Sequence, residues 1–105
     1  AVLVADDVVA LKTRQNKLWG YAPENIRGLL EIRNVGISRY EFAAEAEVSL
    51  LVNLVQYKEN LERLPKNKTE NILGVEIPAI DLYANDTTIL EKIIVKLRDN
   101  LLKTE

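Results

Sequence analysis

The sequence predicts an α/β protein, and three observations support that prediction. Residues 1–5 are an apolar run with the length of a strand buried on both faces, which is typical of the middle of a parallel sheet. Residues 48–55 are a second apolar run, and residues 88–103 repeat apolar side chains with the period of a helix. A chain of 105 residues that is 48% hydrophobic can enclose one modest core. We therefore expect a single domain over residues 1–105.

Residues 8–21 predict a β-hairpin downstream of the first run. Residues 8–13 alternate in part between apolar and polar side chains, a polar turn follows at 14–17, and residues 18–21 return as a strand. Proteins rarely begin inside a buried strand, so we expect natural sequence upstream of residue 1. Without its neighbours the first strand would leave an unpaired edge, which predicts self-association or instability of the isolated fragment.

Residues 22–37 predict a short helix followed by a strand. Pro23 suits the first position of a helix of one to two turns, and Gly28 is able to end it. The strand over 29–37 places Glu31 and Arg33 on one face of an apolar run. That face is either solvated or a site, because charges in a half-buried segment need a partner, a metal or a ligand.

The next segments predict further strands and a loop. Residues 48–55 form a central strand because both faces are apolar, with a short buried helix as the alternative. Residues 57–69 are polar and form a loop. Residues 72–82 are extended, and Gly74 and Pro78 place part of them at an edge or a bulge.

Residues 88–103 carry the clearest helical pattern. Thr88 and Glu91 have the spacing of a capping box, which places the start of the helix. The stripe predicted to face the core consists of Leu90, Ile93, Ile94, Leu97 and Leu101.

The composition excludes several classes of function. The chain has 14 basic and 16 acidic residues that are scattered along it, which argues against a nucleic-acid or anionic membrane surface. It has no cysteine and no histidine, so catalysis would depend on carboxylates, lysine, arginine or tyrosine. No secretory signal is recognisable, and no apolar run approaches the roughly 18 residues of a membrane span. We expect a soluble cytoplasmic protein.

Asp6, Asp7 and Arg63 are candidate site residues. A carboxylate at the end of a parallel strand faces the crevice where ligands bind, although acidic residues after an apolar run also occur as ordinary turn chemistry. Of two adjacent carboxylates in a strand, one can meet a metal while the other supports it or takes a substrate proton. Arg63 has the guanidinium suited to bidentate phosphate binding, and the alternative is an exposed surface arginine.

The order of five segments resembles the HPr kinase/phosphorylase family over nearly the whole chain. The segments are V-A-D-D-V-V at 4–9, A-P-E-N-I-R at 22–27, L-L-E-I-R-N-V-G-I at 29–37, E-R-L-P at 62–65 and I-L-G-V-E-I-P at 72–78. The L-E-I-R stretch with its following glycine is close to the family signature and is the most specific part.

The resemblance implies a bifunctional enzyme that uses ATP and Mg²⁺ to phosphorylate a serine of the phosphocarrier HPr, and that removes the phosphate by phosphorolysis. It implies a P-loop α/β fold similar to that of phosphoenolpyruvate carboxykinases, with a mixed sheet and a C-terminal helix. The chain would be the C-terminal portion of the catalytic domain. We expect HPr to be the protein partner, and we expect the enzyme to be a homo-oligomer. We expect no binding to nucleic acid or to a membrane.

The resemblance also implies roles for five residues. Asp7 would accept the serine proton and return one in the reverse reaction, and Asp6 would support it on the cofactor side. Glu31 would help to hold Mg²⁺, and Arg33 would lie in the same catalytic stretch. Arg63 would contact the transferred phosphate or the phosphoserine. These roles match the needs of phosphoryl transfer, in which positioning and charge neutralisation supply most of the catalysis.

Three features depart from the family pattern. The family's glycine-rich phosphate loop lies upstream of the Asp-Asp strand and does not occur in these 105 residues. Asn34 and Val35 stand where the family has Gly-Leu, and residues 83–88 stand in place of a Gly-Arg-Asn segment associated with phosphorolysis. The alternative function is therefore a non-catalytic regulatory or interaction module derived from the same fold.

Overall fold

The computed structural model describes residues 2–103 and contains two compact units, one up to Val48 and one from Ser49 onwards. The expected single domain over 1–105 stays a prediction. The elements are β1 (Ala10–Arg14), β2 (Lys17–Tyr21), a 3₁₀ turn (Glu24–Ile26), β3 (Leu29–Ile32), β4 (Gly36–Arg39), β5 (Ala46–Glu47), β6 (Leu51–Val55), a second 3₁₀ turn (Lys58–Asn60), β7 (Lys68–Ile72), β8 (Val75–Tyr83) and α1 (Ile89–Lys103).

The buried strand predicted for residues 1–5 is wrong over residues 2–5, and residue 1 lies outside the described residues. Leu3 forms an isolated bridge with Phe42, and its carbonyl accepts a hydrogen bond from Ala43 N at 2.8 Å. Val2 is 66% exposed. An apolar run becomes a buried strand only where neighbouring strands pair along it, and within residues 2–103 this run has a single bridge.

The first hairpin is confirmed, with a shorter turn than predicted. Strands β1 and β2 are antiparallel, and only Gln15 and Asn16 separate Arg14 from its partner Lys17. Both turn residues have positive φ, 55° and 63°, as a two-residue type I′ turn requires. Strand β5 pairs with β2, which gives the order β1-β2-β5. On β2, Leu18 is 1% exposed and is one of the best-buried side chains of the first unit.

The other face of this sheet is polar and aromatic. The Arg14 guanidinium lies 4.4 Å from the centre of the Trp19 ring, and the Lys12 ammonium lies 5.0 Å from that of Tyr21. Glu45 joins the two cations through contacts of 2.7 Å each. These hydrogen bonds from Lys12 and Arg14 hold the pKa of Glu45 below its usual value. This face is therefore a charge-compensated surface, whereas the opposite face carries the core.

The helix predicted over 22–28 is a single 3₁₀ turn. Pro23 is its N-cap residue and precedes the first helical position. Gly28 follows the turn with φ +76°, a conformation that side chains strongly disfavour. A Cβ atom at Gly28 would lie 2.9 Å from the carbonyl oxygen of Tyr40 and 2.9 Å from the Phe42 ring. Glycine is therefore required here for both its backbone conformation and its size.

The single strand predicted over 29–37 is wrong, because the segment folds back as the hairpin β3–β4. Val35 N donates to Ile32 O at 2.9 Å, and Asn34 between them has φ +68°. A positive φ at the third residue of a four-residue turn is the signature of a type II turn, and asparagine tolerates it almost as glycine does. Arg33 and Val35 consequently lie in the turn and do not share a strand face with Glu31.

The second unit contains a mixed sheet with the order β6-β8-β7. Strand β6 runs parallel to β8, and β7 runs antiparallel to it. The mixed sheet and the C-terminal helix confirm the predicted fold class. Residues 51–55 form a strand and not a helix, but β6 is at the edge of the sheet, so the predicted central position is wrong. The central strand is β8, from the segment that was expected to be partly an edge or a bulge.

Strand β8 accommodates Pro78 in the middle of the sheet. The two-residue turn Leu73-Gly74 puts Ile72 opposite Val75, so Pro78 opposes Thr69 at a position whose N and O atoms point away from β7. Pairing with β6 begins only at Ala79. The nitrogen of Pro78 therefore misses no ladder hydrogen bond, which is the condition under which a strand tolerates proline.

The core of the second unit lies along β8, with residues 77 and 79 on one face of the strand and residue 82 on the other. The buried side chains are Ile77, Ala79 and Leu82, with exposed fractions of 3%, 3% and 6%. The loop predicted over 57–69 is partly ordered, because it contains the 3₁₀ turn Lys58–Asn60 and the first residues of β7.

Helix α1 is confirmed and begins at Ile89. The capping box is replaced by Asp86, whose Oδ1 accepts hydrogen bonds from both the backbone N–H and the hydroxyl of Thr88 at 2.7 Å. Lys92 also donates to Asp86, and this hydrogen bond is the main reason that the pKa of Asp86 lies far below its usual range. The predicted apolar stripe is only partly covered, since Leu90, Ile94 and Leu101 are 63%, 56% and 70% exposed.

Candidate functional site

The Asp6–Asp7 segment forms a tight turn before strand β1. Val8 N donates to Asp6 O at 2.6 Å, which closes a three-residue γ-turn around Asp7. Asp7 has φ +59° and an exposed side chain, while Asp6 is half-buried. Residues other than glycine rarely adopt this backbone conformation, and asparagine and aspartate are among those that do. The turn therefore presents the Asp7 carboxylate at its apex.

The same turn is attached to strand β3. The Asp6 Oδ2 atom accepts a hydrogen bond from the backbone N of Glu31 at 3.3 Å. Glu31 lies opposite Ile37 in the β3–β4 hairpin. This contact joins the two segments that the sequence analysis singled out, although Glu31 follows Asp7 by 24 positions in the chain.

Four of the five predicted site residues line one open cleft of about 300 Å³. They are Asp6, Asp7, Glu31 and Arg33. Three carboxylates and one guanidinium give the cleft a negative charge that attracts cations, together with one group that binds anions. Among residues 2–103, Arg33 forms no ion pair with these carboxylates. The Arg33 guanidinium is thus not neutralised by the carboxylates of the cleft, whereas one oxygen of Asp6 is engaged with the Glu31 amide.

The acidic side chains of the cleft do not form a complete metal cage among the described residues. Within the described part of the chain, no group of three or more acidic, histidine or cysteine side chains is placed to enclose a metal. Mg²⁺ is usually held by one or two carboxylates, waters and substrate phosphates, without an all-protein cage. Carboxylates of the type that supply this smaller ligand set line the cleft, and Glu31 is the one predicted to hold the metal.

Arg63, the fifth predicted residue, lies in the second unit. It is in an irregular segment between the second 3₁₀ turn and β7, and its side chain is exposed. Its predicted contact with the phosphate stays a prediction.

The second unit contains a groove of mixed charge that was not predicted from the sequence. This groove has a volume of about 410 Å³, and Lys66, Lys68, Lys96 and Asp81 are among its lining residues. Lys68 contacts Asp81 at 2.7 Å, and together with Asn53 it holds the pKa of Asp81 below its usual value. The sequence signal that could have indicated this groove is the two-residue turn Leu73-Gly74. A β7–β8 hairpin around that turn pairs Lys68 with Ala79, which brings Lys68 near Asp81 two residues further along β8.

Within residues 2–103, no helix combines the length and the apolar character needed to cross a lipid bilayer.

Comparison with known proteins identifies the family. Residues 1–104 match the family model described as HPr Serine kinase C-terminal domain, and the chain belongs to this family. It is similar to the HPr kinase/phosphorylase of Mycoplasma mycoides, with 34% identity over 93 residues, and to that of Lactobacillus acidophilus, with 37% identity over 91 residues. These alignments cover 77% and 76% of the chain but 30% and 28% of the relatives, so the chain spans about 30% of their length.

The fold agrees with that assignment. The structure of the HPr(Ser) kinase/phosphatase from Coxiella burnetii superimposes with a TM-score of 0.79 at 30% sequence identity. The match covers 98% of this chain and 73% of the Coxiella chain. The family predicted from the five sequence segments is therefore confirmed.

Proposed function

We propose that the chain is the C-terminal part of the catalytic domain of an HPr kinase/phosphorylase, which transfers phosphate from ATP to a serine of HPr and reverses the transfer by phosphorolysis. The observation that supports this proposal most directly is the cleft that combines Asp7, Glu31 and Arg33 in a member of this family. We further propose that the complete protein acts in the cytoplasm as a homo-oligomer.

Asp7 is the proposed proton acceptor. Its carboxylate is exposed at the apex of the γ-turn and lines the cleft, so a serine hydroxyl can approach within the distance that proton transfer requires. In the forward reaction Asp7 takes the hydroxyl proton as the oxygen attacks phosphorus. In phosphorolysis it returns a proton to the departing serine oxygen.

Arg33 and Glu31 divide the charge neutralisation in this proposal. The Arg33 guanidinium binds the equatorial oxygens of the transferred phosphoryl group, where negative charge must be balanced in the transition state. Glu31 would help to hold Mg²⁺, which when bound neutralises the phosphates of the nucleotide. Asp6 supports Asp7, and Arg63 contacts the phosphate or the phosphoserine.

ATP requires a phosphate-binding loop in addition to the cleft. The 105 residues contain no G-x-x-x-x-G-K-[ST] pattern. We therefore propose that the loop which holds the nucleotide phosphates lies outside these residues.

A second candidate function is a regulatory or interaction module that has lost the chemistry. The segment at 83–88 favours it, because its Asp86 carboxylate is engaged at the start of α1 with Thr88 and Lys92. An ionised carboxylate at that end of the helix competes with any phosphate that approaches it.

The proposed proton acceptor is tested by the substitution Asp7→Asn in the complete protein encoded by the gene. Asparagine tolerates the same left-handed backbone, so the substitution removes the charge and keeps the turn. We expect the kcat for phosphate transfer from ATP to HPr to fall by about 10²–10⁴, as for loss of a general base. Transfer is measured with labelled ATP and purified HPr.

The control for this test is Glu41→Gln, which removes an exposed carboxylate from the same unit. It should leave kcat within about twofold, as expected for a surface substitution away from the cleft. Transfer that survives Asp7→Asn at the original rate would show that Asp7 is not the base. A complete protein that binds no nucleotide and transfers no phosphate supports the non-catalytic module instead.

A further inference from the structure

The Asp6 side chain is committed to the backbone of another segment. Its Oδ2 atom lies 3.3 Å from the Glu31 N atom and accepts the hydrogen bond from it. Strands β3 and β4 form a two-stranded sheet, so among the described residues the outer edge of β3 has no neighbouring strand. Asp6 therefore supplies a hydrogen-bond acceptor to the Glu31 amide, which would otherwise donate to solvent water.

The Asp6 main chain is also committed. Its carbonyl oxygen closes the γ-turn by accepting from Val8 N at 2.6 Å. The residue enclosed by that turn is Asp7, whose φ of +59° costs free energy and persists only where surrounding contacts maintain it. Through its two acceptors, Asp6 contacts both segments that carry the proposed proton acceptor and the proposed magnesium carboxylate.

We propose that Asp6 is a positioning residue, which fastens the strained Asp7 turn to strand β3 and so sets the spacing of Asp7 and Glu31, and that it does not bind the cofactor itself. This inference rests on the proposed function for its catalytic consequence, but the contact between Asp6 and Glu31 is independent of it. The half-buried Asp6 and the exposed Asp7 have different environments, in keeping with this division of roles.

Two substitutions separate positioning from ligand binding. Asp6→Asn keeps a side-chain oxygen of the same reach and removes the negative charge. Asp6→Ala removes the acceptor altogether. A positioning residue needs only the acceptor, whereas a metal ligand needs the charge, because Mg²⁺ prefers carboxylate oxygen. A positioning role therefore predicts that Asp6→Asn resembles the unsubstituted protein, and a ligand role predicts that it resembles Asp6→Ala.

The first measurement is hydrogen–deuterium exchange of the Glu31 amide by NMR, on the 105-residue chain without ligands. We expect exchange to become roughly threefold to tenfold faster in Asp6→Ala, from the loss of one hydrogen bond, and to stay within about twofold in Asp6→Asn. The amide of Trp19 reports on global unfolding, because Trp19 lies on the central strand β2 in a hydrogen-bonded pair with Lys12 of β1. If Asp6→Ala unfolds the chain, Asp6→Ser serves in its place, since its shorter side chain also fails to reach Glu31.

The second measurement is phosphate transfer from ATP to HPr by the complete protein as a function of Mg²⁺ concentration. We expect kcat to fall about 10–100-fold in Asp6→Ala, from misplacement of reacting groups, and less than about fivefold in Asp6→Asn. The Mg²⁺ concentration for half-maximal rate should change less than about threefold in Asp6→Asn, because the loss of a direct carboxylate ligand shifts it further.

The outcomes are distinguishable. An unchanged Glu31 exchange rate in Asp6→Ala, or equally fast exchange in Asp6→Asn, overturns the positioning contact. Equal losses of transfer in both variants, with the same rise in Mg²⁺ requirement, show that the Asp6 charge is a ligand and overturn the assigned role. If the unmodified protein transfers no phosphate, the proposed function fails, and the exchange rates still decide whether Asp6 holds β3.

Discussion

Up to Val48 the backbone turns repeatedly through the left-handed region, whereas from Ser49 onwards a mixed sheet and a helix organise the chain. In the first unit positive φ values occur at Asp7, Gln15, Asn16, Gly28, Asn34 and Gly36, and in the second unit at Leu73 and Gly74. The buried side chains of the first unit are Leu18 and Ala22. Among the described residues of the second unit, the buried side chains lie on β8.

This difference shows how the candidate cleft is built. The cleft is lined by residues of the γ-turn at Asp7 and of the β3–β4 hairpin, both of which depend on left-handed residues. Loops and turns carry function when a scaffold positions them. Few described side chains of the first unit are buried, so individual turn contacts determine the geometry of the cleft more than core packing does.

The largest effect is expected from Leu18→Ala, which tests whether the first unit has an effective core. Leu18 is 1% exposed, and truncation of a fully buried leucine costs about 2–4 kcal/mol of unfolding free energy. Urea unfolding measured by circular dichroism gives that value. The matched control is Val35→Ala, at a side chain that is 75% exposed, with an expected change below about 0.5 kcal/mol. A Leu18→Ala cost below about 1 kcal/mol would mean that turns alone hold this unit.

A smaller effect is expected from Gly28→Ala, which tests the importance of the turns. The new Cβ would meet Tyr40 O and the Phe42 ring at 2.9 Å, at a backbone φ of +76°. We expect a loss of about 1–3 kcal/mol in the same urea experiment. Gly20→Ala is the comparison, because its nearest neighbour would be Val9 at 3.4 Å, an ordinary contact. Equal stability of the two variants would show that the left-handed turn at Gly28 does not contribute to the stability of the first unit.

The smallest effect is expected from Asp86→Ala, which removes a local contact from the sheet-based unit. The hydrogen bond from Lys92 lowers the pKa of Asp86 in the folded protein below the ordinary value of 3.8. The stabilisation by this carboxylate is therefore complete above the unfolded pKa and is lost as the pH falls towards the folded pKa. We expect Asp86→Ala to lower the thermal midpoint at pH 7 and to lose this difference progressively below about pH 4.

The control for that experiment is Asp86→Asn, which keeps an oxygen acceptor for Thr88 but carries no charge. It should retain part of the midpoint and show a weaker pH dependence than the unsubstituted protein. If the midpoints of the unsubstituted protein and the Asp86→Asn variant differ by the same amount from about pH 3 to about pH 7, the carboxylate charge does not stabilise helix α1.

Local patterns predicted much of this molecule. The 3.6-residue period placed α1 within one residue of its start, and polar residues between two short strands placed the first hairpin. The L-E-I-R stretch and the Asp-Asp pair pointed to the family that the comparisons confirm. These predictions from sequence are correct because helix periodicity, turn chemistry and motif spacing depend on residues that are near one another in the chain.

Pairing between distant segments of the chain decided which predicted strands form and which strand is central. Residues 2–5 are as apolar as a buried strand, yet they pair only through Leu3, and residues 75–83 contain a proline, yet they form the central strand. Which strand is central depends on partners elsewhere in the chain, because an apolar run has no preference of its own for an edge or a centre. The sequence likewise determined that Asp6, Asp7, Glu31 and Arg33 carry charges suited to phosphate chemistry. Only the tertiary structure decided that one Asp6 oxygen reaches the Glu31 amide, since that contact requires the γ-turn and the β3–β4 hairpin to meet.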